Sequence, residues 1–321
     1  MTVHPRLRRF LGTYLSHLIV VALIVVIFVI GSMISDRIAT GRNLSNLLQQ
    51  LSVLGLVSLG QTVTILTGGI DLSIGQIVGT GTVAFAHFSE AFPDLVWLAV
   101  LLVLAGAALI GAINGAIVVV LKVHPLIATL GMSSVLLGAT YLYSRMPGGS
   151  VPEHVIDLAY GTVLGVPIPA LFTFAAFTLT GLWLRRTRSG RAIYFVGDNP
   201  DAARLNGVPV GRVLVYTYAF SGACAGMAAV FLSARMGVGD PVIGATLTLQ
   251  SITPVVIGGT LLSGGRGGVL GTILGVFLLA LMSNVLNYLQ VSSYAQWIIQ
   301  GLVILVAVGI RKPTSSLART A

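Results

Sequence analysis

Few side chains in this sequence have the types and spacing that bond-making chemistry requires. The five histidines form no HExxH pair and no spaced metal set, and no serine lies in a GxSxG turn. Neither Lys122 nor Lys312 completes a GxxxxGK(S/T) loop that could cradle phosphates. A membrane enzyme would need some such constellation. The sequence therefore predicts a transporter or channel subunit that is not an enzyme and binds no cofactor itself. If ATP drives transport, a separate chain must bind ATP-Mg.

The ionisable groups within apolar runs are chiefly Asp71 and His87. A charged residue at the centre of the bilayer costs roughly 2.5–3.5 kcal/mol on insertion scales, so it normally faces a partner or a water-filled cavity. Two roles for Asp71 stay open: it caps the first turn of the following helix, or it contacts solute or a gate. The candidate residues of a translocation path or gate are Gln61, Gly68, Gly69, Asp71, Ser73, Asn114, Gln250 and Asn284.

Other polar groups within apolar runs are Gln49, Asn287 and Gln300. Each polar group of this kind could equally form an interhelical hydrogen bond, which contributes about 0.6–2 kcal/mol. For any single residue, the structural role is the simpler interpretation.

Composition favours a membrane protein: 55% of the residues are hydrophobic and only 8% are charged. A soluble domain of this length needs more surface charge. Lys and Arg outnumber acids by 18 to 9, but they cluster in short loops, so they form no stripe that could bind nucleic acid. Cys224, the single cysteine, lies in an apolar run, which excludes a disulfide framework and a thiolate metal cluster.

The elements that position these groups are predicted as about ten transmembrane helices in an all-α membrane protein, since each apolar run approaches the ~20 residues that cross a bilayer. A basic start and apolar core could also mark a signal peptide, but the first run is long and further spans follow, which favours a retained helix. The ten runs are 17–34, 44–67, 70–88, 95–121, 125–144, 166–184, 213–234, 245–262, 269–290 and 293–310.

Charge predicts the orientation, because loops inside the cell carry an excess of Lys and Arg. With both termini cytoplasmic, the outer basic residues are only Arg37, Arg42, Arg145 and Arg235. The outer acids are Asp36, Glu90, Asp94, Glu153, Asp157 and Asp240. The inner basic residues are Arg6, Arg8, Arg9, Lys122, Arg185, Arg186, Arg188, Arg191, Arg204, Arg212, Arg266, Arg311, Lys312 and Arg319. This partition predicts a multi-pass membrane protein with both termini cytoplasmic, and with residues 1–321 as one transmembrane domain.

The one sizeable polar interruption, 185–212, falls on the cytoplasmic side and contains a short predicted helix at 199–207. Asn199 is a good N-cap, Pro200 suits the first helical position, and Asp201 complements the helix dipole. Gly207 can close the helix in the left-handed conformation, and Pro209 prevents its continuation. A capped helix on the water-facing side indicates a docking site for a soluble partner; the alternative is an ordinary connecting loop.

Small residues recur at four-residue spacing within the runs, which predicts close helix packing and nothing more. The pairs and series are Gly75/Gly79, Gly111/Gly115, Gly222/Gly226 and Gly267/Gly271/Gly275.

Three segments resemble the permease subunits of ribose-type ABC sugar importers. TGGIDLSIG at 67–75 is similar to the family signature TGGIDLS(V/I)G. ITPVVIGGT at 252–260, followed by GGRGG at 264–268, resembles IAAVVIGGT…GGxG. DAARLNG at 201–207 resembles, with Asp for Glu, the EAAxxxG pattern that docks ABC ATPases. The resemblance covers nearly the whole chain and strengthens the docking interpretation.

This resemblance implies an ABC type II importer-like permease of the bacterial cytoplasmic (inner) membrane for a monosaccharide or related small polyhydroxylated solute. The implied partners are a second permease copy or a paralogue, a cytoplasmic ABC ATPase and an extracytoplasmic sugar-binding protein. The binding protein would supply most of the selectivity. The residues implied to couple to the ATPase are Asn199, Pro200, Asp201, Ala202, Ala203, Arg204 and Gly207.

Two departures from the family pattern lie near the implied path. Thr248-Leu-Gln250 stands where members often carry Glu-Leu-Asp, and Pro254 replaces a usual alanine, which is expected to kink or shorten the eighth span. Two other functions stay open on the sequence. A self-sufficient secondary transporter or channel usually needs more intramembrane ionisable residues, and a purely structural scaffold would transport nothing.

Overall fold

The computed structural model describes the backbone of residues 5–309 and the side chains of residues 17–303 and 305. Within that range the chain forms thirteen α-helices and one two-stranded antiparallel hairpin, which confirms the prediction of an all-α membrane protein. The side chains of some basic residues used to orient the termini lie outside the described residues: Arg6, Arg8, Arg9, Arg311, Lys312 and Arg319.

Ten of the helices coincide with the ten predicted runs. They are α1 (Pro5–Ile34), α2 (Gly41–Leu66), α3 (Ile74–Ala91), α4 (Val96–Val120), α5 (Pro125–Tyr143), α7 (Ile168–Arg186), α10 (Val210–Met236), α11 (Gly244–Ile257), α12 (Val269–Tyr288) and α13 (Ser293–Gly309). Among the described residues, seven helices are long and apolar enough to cross a membrane: α1, α2, α4 (with the 3-10 turn Pro93–Leu95 before it), α5, α7, α10 and α12.

α11 is shorter than predicted, because the run 245–262 ends as a helix at Ile257. Fourteen residues rise about 21 Å, less than the ~30 Å hydrocarbon core. Pro254 lies inside the helix, and Gly259, two residues after its last residue Ile257, has a φ of 100° that prevents its continuation. Residues 258–268, which connect α11 to α12, form turns and irregular backbone.

Three small elements were not predicted from the sequence. On the predicted outer side, α6 (Glu153–Tyr160) and the hairpin of β1 (Thr162–Val163) and β2 (Val166–Pro167) fold between α5 and α7, and β2 takes the first two residues of the predicted run 166–184. α6 buries Val155 and Ala159. On the cytoplasmic side, α8 (Arg188–Asp198) precedes the predicted short helix, α9 (Pro200–Leu205).

α10 is the centre of the fold: its most extensive contact is with α4, and it also packs on α2 and α3. Glycines make this approach possible. A Cβ on Gly111 of α4 would strike the Tyr218 carbonyl of α10, and a Cβ on Gly222 of α10 would strike the Ala107 carbonyl of α4. The predicted close packing of these helices is confirmed.

The other predicted glycine positions also lie at helix contacts. Gly75 of α3 faces the backbone of Gly244 at the start of α11. Gly271 and Gly275 of α12 face the backbone of Gly258 and Pro254. Lipid is as apolar as the helix surfaces, so no hydrophobic effect drives helices together in a membrane. Close backbone-to-backbone contact instead stabilises their association through dispersion energy.

Because the α4–α10 contact is backbone to backbone, we expect Gly111→Ala to destabilise the protein by about 1–3 kcal/mol through overpacking. Gly106 lies on the same helix, and a Cβ there meets nothing within 4 Å. Gly106→Ala is therefore the matched control and should be neutral or stabilising by up to ~1 kcal/mol. Thermal unfolding of the two purified variants in detergent measures the difference; equal melting temperatures would show that the two helices are not packed this closely.

Candidate functional site

The predicted path residues concentrate at a break between α2 and α3, where residues 67–73 leave the helical conformation. Gly68 has a φ of +83°, which a side chain would disfavour, and lets the chain turn immediately after Thr67. Non-helical backbone at membrane depth is tolerated only where protein or a water-filled cavity satisfies its polar groups. The structure satisfies them with side chains from several other helices.

Asp71 is fully buried at the middle of this break. Its Oδ1 accepts hydrogen bonds from the Ser73 N–H at 3.0 Å and the Ser73 hydroxyl at 2.6 Å. Its Oδ2 accepts one from the Ser221 hydroxyl of α10 at 2.9 Å. The carboxylate thus holds the start of α3 and ties it to the central helix.

Neighbouring helices complete the cluster around the break. Asn114 of α4 donates to the Ser73 Oγ at 2.8 Å. The Gln61 amide of α2 is oriented so that its nitrogen donates to the Asp71 carbonyl at 3.1 Å and its oxygen accepts from the Asp71 N–H at 3.3 Å. Thr129 of α5 accepts from the Leu72 N–H at 3.0 Å. Helices α2, α4, α5 and α10 therefore meet at residues 70–73.

The cluster has no cationic partner among the described residues, where the single ion pair joins Arg204 to Asp201. Three N–H and O–H donors nevertheless satisfy the Asp71 carboxylate. Hydrogen bonds to charged groups contribute about 1.5–3 kcal/mol each, which offsets part of the burial cost. This arrangement can cap and cross-link helices, and none of its residues lines the polar cavity between α2, α11, α12 and α13.

A polar cavity of about 290 Å³ lies between α2, α11, α12 and α13. Amide side chains dominate its polar lining, and Trp297 adds an aromatic face. Gln296 donates to the Asn287 Oδ1 at 2.7 Å, and Gln300 donates to the Ser283 Oγ at 3.3 Å. The amide residues of the lining are Gln50, Gln250, Asn287, Gln296 and Gln300.

The structure thus separates the predicted path residues into two groups and places one elsewhere. Gln250 lines the polar cavity, together with Asn287 and Gln300. Asn284 does not line it, because its amide pairs reciprocally with Asn43 of α2 at 3.0 and 2.9 Å. Gln49 is buried and is not among the lining residues. The remaining candidates lie at the α2–α3 break, where Gly68 is exposed and the others form the buried cluster: Gln61, Gly69, Asp71, Ser73 and Asn114.

Sequence reasoning missed Gln50, Gln296 and Trp297 as cavity residues. Gln296 and Gln300 are four residues apart on α13, as are Ser283 and Asn287 on α12, so each pair lies on one helix face. That spacing was the signal that could have identified the polar faces. Which helices face each other across the cavity could not be read from it.

On the side predicted to be cytoplasmic, α9 has the capping that its sequence predicts. The Asn199 side chain accepts from the N–H groups of Asp201 at 3.0 Å and Ala202 at 2.9 Å. At the other end Gly207 has a φ of +77°, and the Val208 N–H bonds to the Ala203 carbonyl at 3.0 Å. The predicted start of this helix at Pro200 is confirmed, and the helix ends at Leu205, one residue before the predicted end, with Asn206 as its C-cap.

α9 presents an apolar tip to the water-facing side. Ala203 is fully buried against the protein, whereas Leu205 is 89% exposed. Arg204 and Asp201 pair on the exposed surface at 2.8 Å, which contributes little to stability. The helix is therefore anchored by one face and offers Leu205 and charged groups on the other.

α8 connects this exposed helix to the break. A Cβ on Gly197, near the end of α8, would strike the Leu66 carbonyl at the end of α2 and the Gly265 N–H. The Gly265 N–H itself donates to the Leu66 carbonyl at 3.0 Å, and Gly264 packs on the backbone of Gly68. We call this contact of Leu66, Gly68, Gly197, Gly264 and Gly265 the glycine junction.

Comparison with known proteins identifies the family of the chain. Residues 43–308 match the family model described as branched-chain amino acid transport system / permease component. The ribose import permease protein of Escherichia coli K12 is 39% identical over 294 residues, covering 90% of this chain and 91% of the relative. The ribose import permease protein of Bacillus subtilis is 35% identical, covering 91% of both chains.

A third relative, the fructose import permease protein of Rhizobium meliloti, is 32% identical over 320 residues, covering 96% of this chain and 88% of the relative. No solved structure matches the chain significantly. The family match spans the α2–α3 break, the polar cavity and α9. The chain therefore belongs to the family of transport-system permease components, as a multi-pass protein of the bacterial inner membrane.

Proposed function

We propose that this chain is the permease subunit of an ATP-driven, binding-protein-dependent importer of a monosaccharide or related small polyhydroxylated solute. The observation that carries the proposal is the likeness to ribose import permeases over 90% of the chain. Likeness over the whole length covers the elements that a permease needs together: the membrane helices, the polar cavity and the exposed helix α9.

The chemistry of the polar cavity supports a sugar. Each Gln or Asn amide offers both donors and acceptors, which match the hydroxyl groups of a sugar without requiring charge. Trp297 provides a flat apolar surface for the carbon-bound hydrogens of a sugar ring. Arg235 also borders the cavity, but no acid does, so the lining favours neutral or weakly anionic solutes over cations.

The proposed assembly has a second permease copy or a paralogue beside this chain, and an extracytoplasmic sugar-binding protein at its outer mouth. A cytoplasmic ABC ATPase would hold ATP-Mg and contact α9 through Leu205, Asp201 and Arg204. Leu205 supports this contact, since a large apolar side chain that is 89% exposed on a small helix has apolar area free for a partner.

The glycine junction supports a route from the ATPase to the membrane helices. A displacement of α8 and α9 would press on the Leu66 carbonyl and on the loop that carries Gly264, because no side chains intervene to absorb it. Those two segments lead to the α2–α3 break and to α11, which lines the polar cavity.

Reconstitution tests the function directly. Permease, the cognate ATPase and the binding protein in proteoliposomes should take up the sugar that a ligand screen of the binding protein identifies, and uptake should require ATP. Uptake by the permease alone, driven by an ion or solute gradient, would instead show a self-sufficient transporter. Failure of the ATPase to co-purify with the permease would also contradict the proposal.

The coupling role of α9 predicts that Gly207→Val impairs ATPase stimulation and import while membrane insertion stays normal. The left-handed backbone at Gly207 disfavours a side chain by about 1–2 kcal/mol, which changes the population of the closed helix about 5–30-fold. Asp201→Arg should act in the same direction by opposing the helix dipole.

Gly165 provides the matched control, since it also has a positive φ (+80°) and open space around its Cβ, but lies in the outer hairpin. Gly165→Val should therefore leave ATPase stimulation unchanged. If Gly207→Val and Asp201→Arg both import at the wild-type rate, α9 does not couple to the ATPase.

For Asp71 we propose a structural role, as the cross-link between the start of α3 and α10. Asp71→Asn should then keep expression and most transport, because the amide oxygen can still accept from Ser73 and the amide nitrogen can donate to the Ser221 Oγ. Asp71→Ala should destabilise the protein by about 1–3 kcal/mol, since it leaves buried donors unsatisfied.

Thermal unfolding and sugar uptake of both variants distinguish the two roles of Asp71. Normal expression of Asp71→Asn with transport abolished would mean that the charge itself serves solute passage or gating. A stable and fully active Asp71→Ala variant would contradict both roles.

A further inference from the structure

A separate cleft of about 790 Å³ lies where α1, α7 and α12 meet, on the same side of the molecule as α8. It shares no lining residue with the polar cavity. Neither Asp71 nor α9 borders it. Its lining combines two arginines, a tyrosine, a glycine-rich loop and the first turn of α12.

The cleft is electropositive. Arg185, from the last turn of α7, and Arg266, from the loop before α12, both line it. Neither forms an ion pair within the part of the chain that the structure describes, and no acid lines the cleft. Tyr194 lies between them: its hydroxyl donates to the Gly267 carbonyl at 3.3 Å. Burial raises the pKa of the Tyr194 phenol, and the nearby Arg185 guanidinium opposes that rise.

The backbone adds to this positive field. α12 is a twenty-residue helix whose N-cap, Gly268, provides no side chain to cap the first turn. The unsatisfied N–H groups of a first turn, together with the helix dipole, attract anions. Gly268 carries no side chain that could cover these groups, whereas the missing side chains of Gly267 and Gly271 face Thr260 and Gly258. Two guanidinium groups and a helix N-terminus therefore converge on one space.

Apolar side chains line the walls of the cleft. Leu184, Ile273 and Leu274 line it, and Leu270, also in the lining, is 54% exposed. α1 forms one side, and only 11% of its membrane-length segment His17–Ile34 is buried inside the protein. A site with a basic mouth at the cytoplasmic ends of helices and apolar walls below fits a molecule with an anionic head and hydrocarbon chains.

The geometry points to a binding site for the phosphate headgroup of an anionic phospholipid from the cytoplasmic leaflet. Arg185 and Arg266 bind the phosphate, the first turn of α12 faces it, and the acyl chains lie along α1 and α12. Because the lipid contacts both α7 and the loop before α12, it fastens together two segments that lead to α8 and to the glycine junction.

The test uses the full chain in detergent, with phosphatidylglycerol as the probe and phosphatidylcholine as the neutral comparison. Native mass spectrometry counts the bound lipid, and thermal unfolding measures the stabilisation that added lipid gives. Wild type should retain one phosphatidylglycerol per chain and should be stabilised by phosphatidylglycerol more than by phosphatidylcholine.

The double variant Arg185→Gln/Arg266→Gln should bind phosphatidylglycerol about 30-fold more weakly, since each basic residue near the surface contributes roughly fivefold. Arg188→Gln/Arg212→Gln is the matched control: it removes the same charge from two exposed cytoplasmic positions that do not line the cleft. The control should retain its lipid, and Arg185→Lys/Arg266→Lys should retain it too, because the charge persists.

Three results would overturn the proposal. Equal lipid loss in the control would mean that only net charge attracts the lipid. Stabilisation of wild type by inorganic phosphate without lipid, to the same extent, would make free phosphate the ligand. Unchanged lipid retention in the double Gln variant, with weakened co-purification of the ATPase, would assign the two arginines to a protein contact.

Discussion

The structure depends on the hydrogen bonds that satisfy the backbone N–H and C=O groups between the end of α2 and the start of α3, inside the protein. Seven residues leave the helical conformation there, and no lipid can hydrogen-bond to their N–H and C=O groups. The break persists because Asp71, Gln61 and Thr129 bond to its backbone and because Ser221 holds the carboxylate from α10. The packing of α10 at the centre of the fold, and of α4 and α5 beside it, follows from that need.

A second constraint is the weak attraction between apolar helices in an apolar solvent, and glycine meets it by allowing close helix packing. At Gly111, Gly222 and Gly271 the structure brings backbone against backbone, so the contacts gain dispersion energy that side chains would prevent. The same device serves the glycine junction, where Gly197 lies against the end of α2. Contact without side chains is stiff, and stiffness suits a segment proposed to carry motion from α8 into the membrane.

The polar cavity and the buried cluster divide the polar residues between two tasks. Amides such as Gln250 and Gln296 line open space and can exchange one hydrogen-bond partner for another as a solute passes. Asp71 and Ser73 are fully buried and fully engaged in holding helices together. A neutral, hydroxyl-rich solute is consistent with this division, because the cavity offers hydrogen bonds and the buried carboxylate lies apart from it.

The sequence by itself determined the features that depend on local physics: ten apolar runs of nearly correct extent, and α9 with Asn199 and Gly207 at its ends. Each arises from neighbours in the chain, through hydropathy or capping. Only the tertiary structure decided that Asn284 pairs with Asn43, that Gln50 and Trp297 line the cavity, and that Gly197 meets Leu66. The sequence around a polar residue in an apolar run does not show which distant helix supplies its hydrogen-bond partner, because that partner is fixed by packing across the whole bundle.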